Sequence, residues 1–174
     1  KLTSLTLKGT FRWINGDALS AVGTLTELTH LHLTGDGNSQ HFESRSTSSF
    51  KHLTKLESLH LTSLPINDET VEALFERAKE LSSLSFIYCP NIGRRTSRAI
   101  SSLEALKSLH LTYSDANNQT ELPDLQCCHH LTALHLGNTE LNEKSLQTHV
   151  KSCPELRDVS FSRCFRLRDE DFRH

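Results

Sequence analysis

Apolar and polar residues alternate in short bursts along this chain, and the bursts return at a nearly constant interval. The pattern LxxLxL occurs at Leu2-Leu5-Leu7, Leu28-Leu31-Leu33, Leu56-Leu59-Leu61 and Leu81-Leu84-Phe86. It occurs again at Leu106-Leu109-Leu111, Leu131-Leu134-Leu136 and Leu156-Val159-Phe161. The leading positions, 2, 28, 56, 81, 106, 131 and 156, are separated by 26, 28, 25, 25, 25 and 25 residues. A fixed period of this length marks an array of stacked units. Within each copy the last two apolar residues are two apart, so they point to one side of a short strand. A strand that short does not persist alone. Stacked in parallel on its neighbours, it gains a hydrogen-bonded ladder and a continuous core. Each Leu buried there contributes roughly 1.5–3 kcal/mol. The pattern predicts one α/β domain over residues 1–174, with seven parallel strands and a return segment behind each.

The return segments carry weaker signals. Asn67 and Asp68 stand before Val71, Leu74, Phe75 and Ala78, which predicts a capped helix. Asn142 before Leu146 and Val150 predicts another. Residues 95–102 and 14–22 predict weaker helices. Residues 36–50 are rich in Ser, Gly, Asn and Gln and read as the longest irregular connection. Residues 114–127, with Pro123 and little periodicity, predict turns or one helical turn. Right-handed crossovers between parallel strands put the strands on one side and the helices on the other.

These copies resemble the cysteine-containing subclass of leucine-rich repeats, whose pattern runs CPxLxxLxLxxC, then an isoleucine-like position, a polar cap and a helix. The seventh copy carries Cys153-Pro154-Glu155-Leu156, Val159, Phe161, Cys164, Leu167 and Asp169. The fourth carries Leu81, Leu84, Phe86, Cys89 and Ile92, and the third has Leu64, Ile66 and Asp68 in the corresponding places. The resemblance spans essentially the whole chain and implies a solenoid, or horseshoe, with strands on its concave face and helices and turns on its convex face. Proteins of this subclass include the substrate-recognition arms of F-box ubiquitin ligases, scaffolds and assembly subunits, and microbial or protozoan effector and surface proteins. The implied activity is therefore protein binding, which the fold alone does not specify further. No F-box, RING or kinase motif lies within these residues.

Composition narrows the possible partners. The formal net charge is −2 and 36% of the residues are apolar, so no strong field for nucleic acid or anionic lipid is expected. No apolar run approaches the roughly 20 residues of a spanning helix, and residues 1–8 alternate rather than forming a signal-peptide block. Membrane insertion, nucleic acid and a small-molecule substrate are accordingly not expected. The chain opens on Lys1 and has no Met, so it is expected to be a piece of something longer. Its first copy has no polar cap, so further repeats or a partner are expected over Leu2, Leu5 and Leu7.

Five cysteines occur. Cys128 and Cys153 stand three residues before a leading Leu, in a column otherwise holding Leu25, Leu53, Ala78 and Leu103. Cys89 and Cys164 follow a strand, where other repeat classes bury an Asn. These four read as small buried hydrophobes. Cys127 and Cys128 are adjacent, with no CxxC pair, so no zinc site is expected. The odd count argues against a disulfide framework and for a reducing, cytoplasmic or nuclear compartment. The sequon Asn118-Gln119-Thr120 points the other way, toward secretion, although such triplets arise often by chance.

The positions between the leucines are expected to face solvent. The central column reads Thr6, His32, His60, Ser85, His110, His135 and Ser160. It pairs His32 with His60 and His110 with His135 on adjacent strands about 4.8 Å apart. His30 shares a face with His32. Three readings stand side by side: a relic of duplication, a partner-binding stripe, or a metal site. The last would need three or four ligands and their supporting partners, and no carboxylate shares the column. Paired imidazoles repel when both are charged, so acidification is expected to loosen the ladder or a partner held there.

Beside this column, Ile87, Tyr88 and Tyr113 are expected to form an exposed apolar and aromatic knot among Ser and Thr, in the manner of an interface hot spot. The alternative is that the two tyrosines merely shield the sheet edge. Catalysis would need a nucleophile, a base and an orienting carboxylate in one pocket. Ser85 and Ser160 share the histidine column, but no P-loop, GxGxxG or HExxH motif is present. The expected role is therefore a non-catalytic, cofactor-free protein-binding module whose contacts come from His32, His60, His110, His135, Ile87, Tyr88 and Tyr113.

Overall fold

The computed structural model describes residues 1–8, 16–35, 49–113, 123, 125–139 and 141–164. The expectations for residues 36–48 and 114–122, and for Leu167 and Asp169, lie outside these. Each copy of the pattern forms one strand: β1 (Ser4–Leu7), β2 (His30–Thr34), β3 (Ser58–Thr62), β4 (Ser83–Ile87), β5 (Ser108–Thr112), β6 (Ala133–Gly137) and β7 (Asp158–Ser162). All seven pair in parallel, in sequence order, in a single sheet. Residues equivalent in the pattern are register partners: Leu31 pairs with Leu59, Leu59 with Leu84, Leu84 with Leu109 and Leu109 with Leu134.

The register follows from burial. A slip of one residue would turn every Leu to the opposite face, so the leucines hold each strand in place. In β3 and β5 the residues alternate between half-buried and buried. Parallel sheets are usually covered on both faces and carry continuous apolar runs. This one alternates, and among the described residues only its leucine face is covered. The covered side forms one hydrophobic cluster with the leading leucines Leu28, Leu56, Leu81, Leu106 and Leu131, all fully buried. At the two outer strands the leucine face is less covered, with Leu2 50% and Val159 40% exposed.

The return segments supply the other wall of that cluster. They hold α1 (Gly16–Gly23), α2 (Asp68–Phe75), α3 (Arg94–Ala99), which runs into a 3-10 turn (Ile100–Ser102), and α4 (Glu143–Ser152). Asn67 caps α2 by accepting from the Thr70 amide at 3.0 Å, and Val71, Leu74 and Phe75 turn into the core. Asn142 likewise accepts from the Ser145 amide at 3.0 Å at the start of α4.

Helix α3 lacks a cap of its own, because Gly93 stands at its N-cap position. Asp68, one copy earlier, provides it. Asp68 Oδ1 accepts from the Gly93 amide at 2.8 Å, the Thr96 amide at 3.2 Å and the Thr96 hydroxyl at 2.6 Å. A carboxylate of α2 thus satisfies donors that α3 would otherwise leave orphaned.

Cysteines join copies in the same way. Cys89 Sγ lies 3.6 Å from the Leu61 carbonyl, and Cys164 Sγ lies 3.6 Å from the Leu136 carbonyl, each 28 residues back. Cys89, Cys128 and Cys153 are buried as expected, Cys164 is only partly so, and Cys127 is exposed. Among the described residues no helix is long and apolar enough to cross a membrane.

Candidate functional site

The uncovered face of the sheet takes its chemistry from the outward positions of each strand. Register pairs Thr6 with His32, His32 with His60, His60 with Ser85, Ser85 with His110, His110 with His135 and His135 with Ser160. The four expected histidines therefore stand in one line across the sheet, in two pairs separated by Ser85. The ring centroids of His32 and His60 are 5.5 Å apart, and those of His110 and His135 are also 5.5 Å apart. Both pairs are tilted rather than face to face. Each of the four rings is half-buried.

Small hydroxyls hold two of the rings. His60 Nε2 is 3.2 Å from the Ser83 hydroxyl, and His110 Nε2 is 3.2 Å from the Thr112 hydroxyl. Ser85, flanked on both sides by longer imidazoles, is only 4% exposed. Its hydroxyl is thereby withdrawn from solvent.

Burial first, and neighbouring positive charge second, lower the titration of His32, His60 and His110 below the ordinary imidazole range. His32 is lowered by burial and then by Lys8. His60 is lowered by burial and then by the charges of His32, His110, His30 and Lys8. His110 is lowered by burial and then by His135. The second pair has a carboxylate neighbour that the column alone does not reveal: Asp158 Oδ2 is 3.6 Å from His135 Nε2. Asp158 pairs with Ala133, two residues before His135, so strand register read diagonally finds it. Even so, among the described residues no group of three or more His, Cys, Asp or Glu side chains is arranged to hold a metal ion.

The expected aromatic knot does not form. Tyr88 stands 44% exposed beside Ile87, which is half-buried, but Tyr113 is 5% exposed and turns into the core. The physical reason is a difference in backbone. The residue after the strand is left-handed at Ser63, Tyr88, Asn138 and Arg163, with φ between 51° and 54°, whereas Tyr113 is not. The ring of Tyr113 reaches α3, where Thr96 and Ser97 are small and buried, and its hydroxyl lies 3.2 Å from that of Ser97. Burial pushes its phenol up to about 12. Tyr113 is a core residue and contributes no surface for docking.

Tyr88 pays a conformational cost that Tyr113 avoids. A non-glycine side chain in the left-handed region costs on the order of 1–3 kcal/mol. The Tyr88 amide donates to the Thr112 carbonyl at 2.7 Å, which prolongs the ladder one residue past the strand and holds the turn. The result is one projecting aromatic ring at the rim of a face otherwise built of imidazoles and hydroxyls. No protein-family model matches this sequence, and no curated protein matches it.

Proposed function

We propose that this chain is a leucine-rich-repeat solenoid that holds a partner protein on its open strand face and catalyses no reaction. The observation that carries the reading is the sheet's asymmetry. One face is packed against helices, while the other presents an in-register line of four imidazoles with His30 beside it, small hydroxyls and the rim ring of Tyr88. An amphipathic ring beside adaptable hydrogen-bonding groups is the composition of protein interfaces. Ser85 argues against a catalytic use of the strip, since its shielded hydroxyl lies on a sheet rather than in a pocket with base and orienting carboxylate. Buried thiols that act as small hydrophobes favour a reducing compartment, cytoplasmic or nuclear.

Site-specific photo-cross-linking tests the reading. A benzophenone amino acid in place of Tyr88 or His110 should capture one protein in a manner competed by excess wild-type chain. The same group in place of Glu76, an exposed residue just past α2, should not capture it. Capture from position 76 alone would place the interface on the helix side and end the proposal.

A further inference from the structure

From β1 to β6 the outward-facing positions are Ser4, Thr6, Lys8, His30, His32, Thr34, Ser58, His60, Thr62, Ser83, Ser85, Ile87, Ser108, His110, Thr112, Ala133, His135 and Gly137. None of them is Asp or Glu. From β1 to β6 the strip therefore carries hydrogen-bond donors and latent positive charge without a carboxylate; at β7, Asp158 stands 3.6 Å from His135 Nε2 and offsets part of that charge at one end.

Other charged groups stand at its borders. Glu57, Lys107 and Arg157 each precede a strand by one residue, and Asp158 opens β7 beside His135. Strand β4 contributes no charge between the two histidine pairs. Among the described residues the helices pack on the opposite face and present none of their charges here.

We infer that this face recognises an extended acidic segment of its partner, with carboxylates about four residues apart, and that the complex tightens as the pH falls. The inference rests on the docking-face reading above and adds the partner's chemistry to it. The spacing comes from the sheet. The centres of the two histidine pairs are three strand steps apart, about 14 Å at about 4.8 Å per step, and an extended chain covers that in about four residues at about 3.4 Å each. Residues four apart in an extended chain also point the same way.

Charge selects a carboxylate over a phosphate backbone. Nucleic-acid surfaces rely on repeated Lys and Arg, whereas only Lys8 among the strip positions is permanently charged. In the free protein burial opposes a proton on His32, His60 and His110, and within a pair a second proton is opposed by the first. A carboxylate laid over a pair favours a proton there, which reverses, for an acidic partner, the loosening on acidification that repulsion within the pairs would cause alone. Binding then takes up protons, and uptake of about one proton tightens binding about ten-fold per pH unit until the ring is charged in the free protein as well. Protonation of the partner's own carboxylates, near pH 4.3 for Glu, sets the lower limit.

The probes are a five-residue peptide with Glu at its first and fifth positions and its Gln counterpart. They are titrated into the whole chain at pH 7.5 and 5.5, with the histidine ring signals followed by NMR. The Glu peptide should move the signals of His32, His60, His110 and His135, bind at least ten-fold more tightly at pH 5.5, and weaken with added salt; the Gln peptide should do none of this. The paired variants His32→Gln/His60→Gln and His110→Gln/His135→Gln should each flatten the pH response. Equal binding at the two pH values, equal binding of the Gln peptide, or no movement of those four rings in the wild-type chain overturns the inference. If the Glu peptide fails while cross-linking from positions 88 and 110 still captures a protein, the acidic partner is refuted and the docking face survives. If the peptide binds as expected but cross-linking captures only from position 76, the docking-face reading is refuted and the inference falls with it.

Discussion

Replacing Asp68 by alanine removes the contact that ties α2 to the start of α3. Three donors lose one acceptor: the Gly93 amide, the Thr96 amide and the Thr96 hydroxyl. Loss of a helix cap costs about 1 kcal/mol, with a range of about 0.5–2. The Thr96 hydroxyl is harder to replace, since Thr96 is 1% exposed and water does not reach it easily. A buried group left unsatisfied adds about 1–3 kcal/mol. Together these give about 2–3 kcal/mol of destabilisation, because Asp68 and Gly93 are half-buried and partial hydration offsets some of the loss. Helix α2 keeps its own cap at Asn67, so the effect belongs to the joint between copies. Urea unfolding followed by circular dichroism reads it as a lower midpoint at unchanged slope. Asp68→Asn keeps an acceptor oxygen and should cost less than about 1 kcal/mol. An Asp68→Ala variant within about 0.5 kcal/mol of wild type, or an Asn variant as unstable as the Ala variant, would refute the reasoning.

Three further outcomes follow from the same structure. Ser63 is left-handed at φ 52°, so Ser63→Gly should raise stability by roughly 0.5–1 kcal/mol in urea unfolding. His32, His60 and His110 are lowered in the folded chain, so the unfolded chain binds more protons around pH 6. Stability should be full above the ordinary imidazole value of 6.5 and fall as the pH drops below it, giving a lower Tm at pH 5.5 than at 7.5; His→Gln at these three positions should reduce the difference. Burial pushes the Cys89 thiol up to about 11 and raises Cys153, so a thiol reagent at pH 8 should label exposed Cys127 first and reach Cys89, Cys128 and Cys153 only on unfolding.

The strands were legible because every copy repeats the same demand: two apolar residues two apart and a third before them. Register came with them, since only one alignment buries all the leucines. The helices at Asn67 and Asn142 were legible from their caps, while α3 was weaker in the sequence because its cap comes from Asp68, 25 residues before Gly93. The histidine line follows directly from strand alternation. Tyr113 was misread because the column shared with Tyr88 fixes sequence position, not backbone handedness. A left-handed residue projects its ring outward, and a residue that leaves that region can turn its ring into space left by small neighbours such as Ser97. Asp158 is legible in the sequence as one of the few charges on the strand face, but its contact with His135 is not, because side chains on neighbouring strands also meet diagonally.

The central claim is that adjacent strands align equivalent positions, and cysteine cross-linking measures this directly. In a Cys127→Ser background, His32→Cys with His60→Cys joins register partners on neighbouring strands. Their separation, about 4.8 Å, lies within the range of about 4.4–6.8 Å that a disulfide spans. His60→Cys with His110→Cys places the thiols two strands apart, with Ser85 between them, at about 9.6 Å. Under mild oxidation the first pair should close to a disulfide in the folded chain and the second should not. Closure of the second pair in preference to the first would show that the strands do not stack in this order, and the open face would have to be drawn anew.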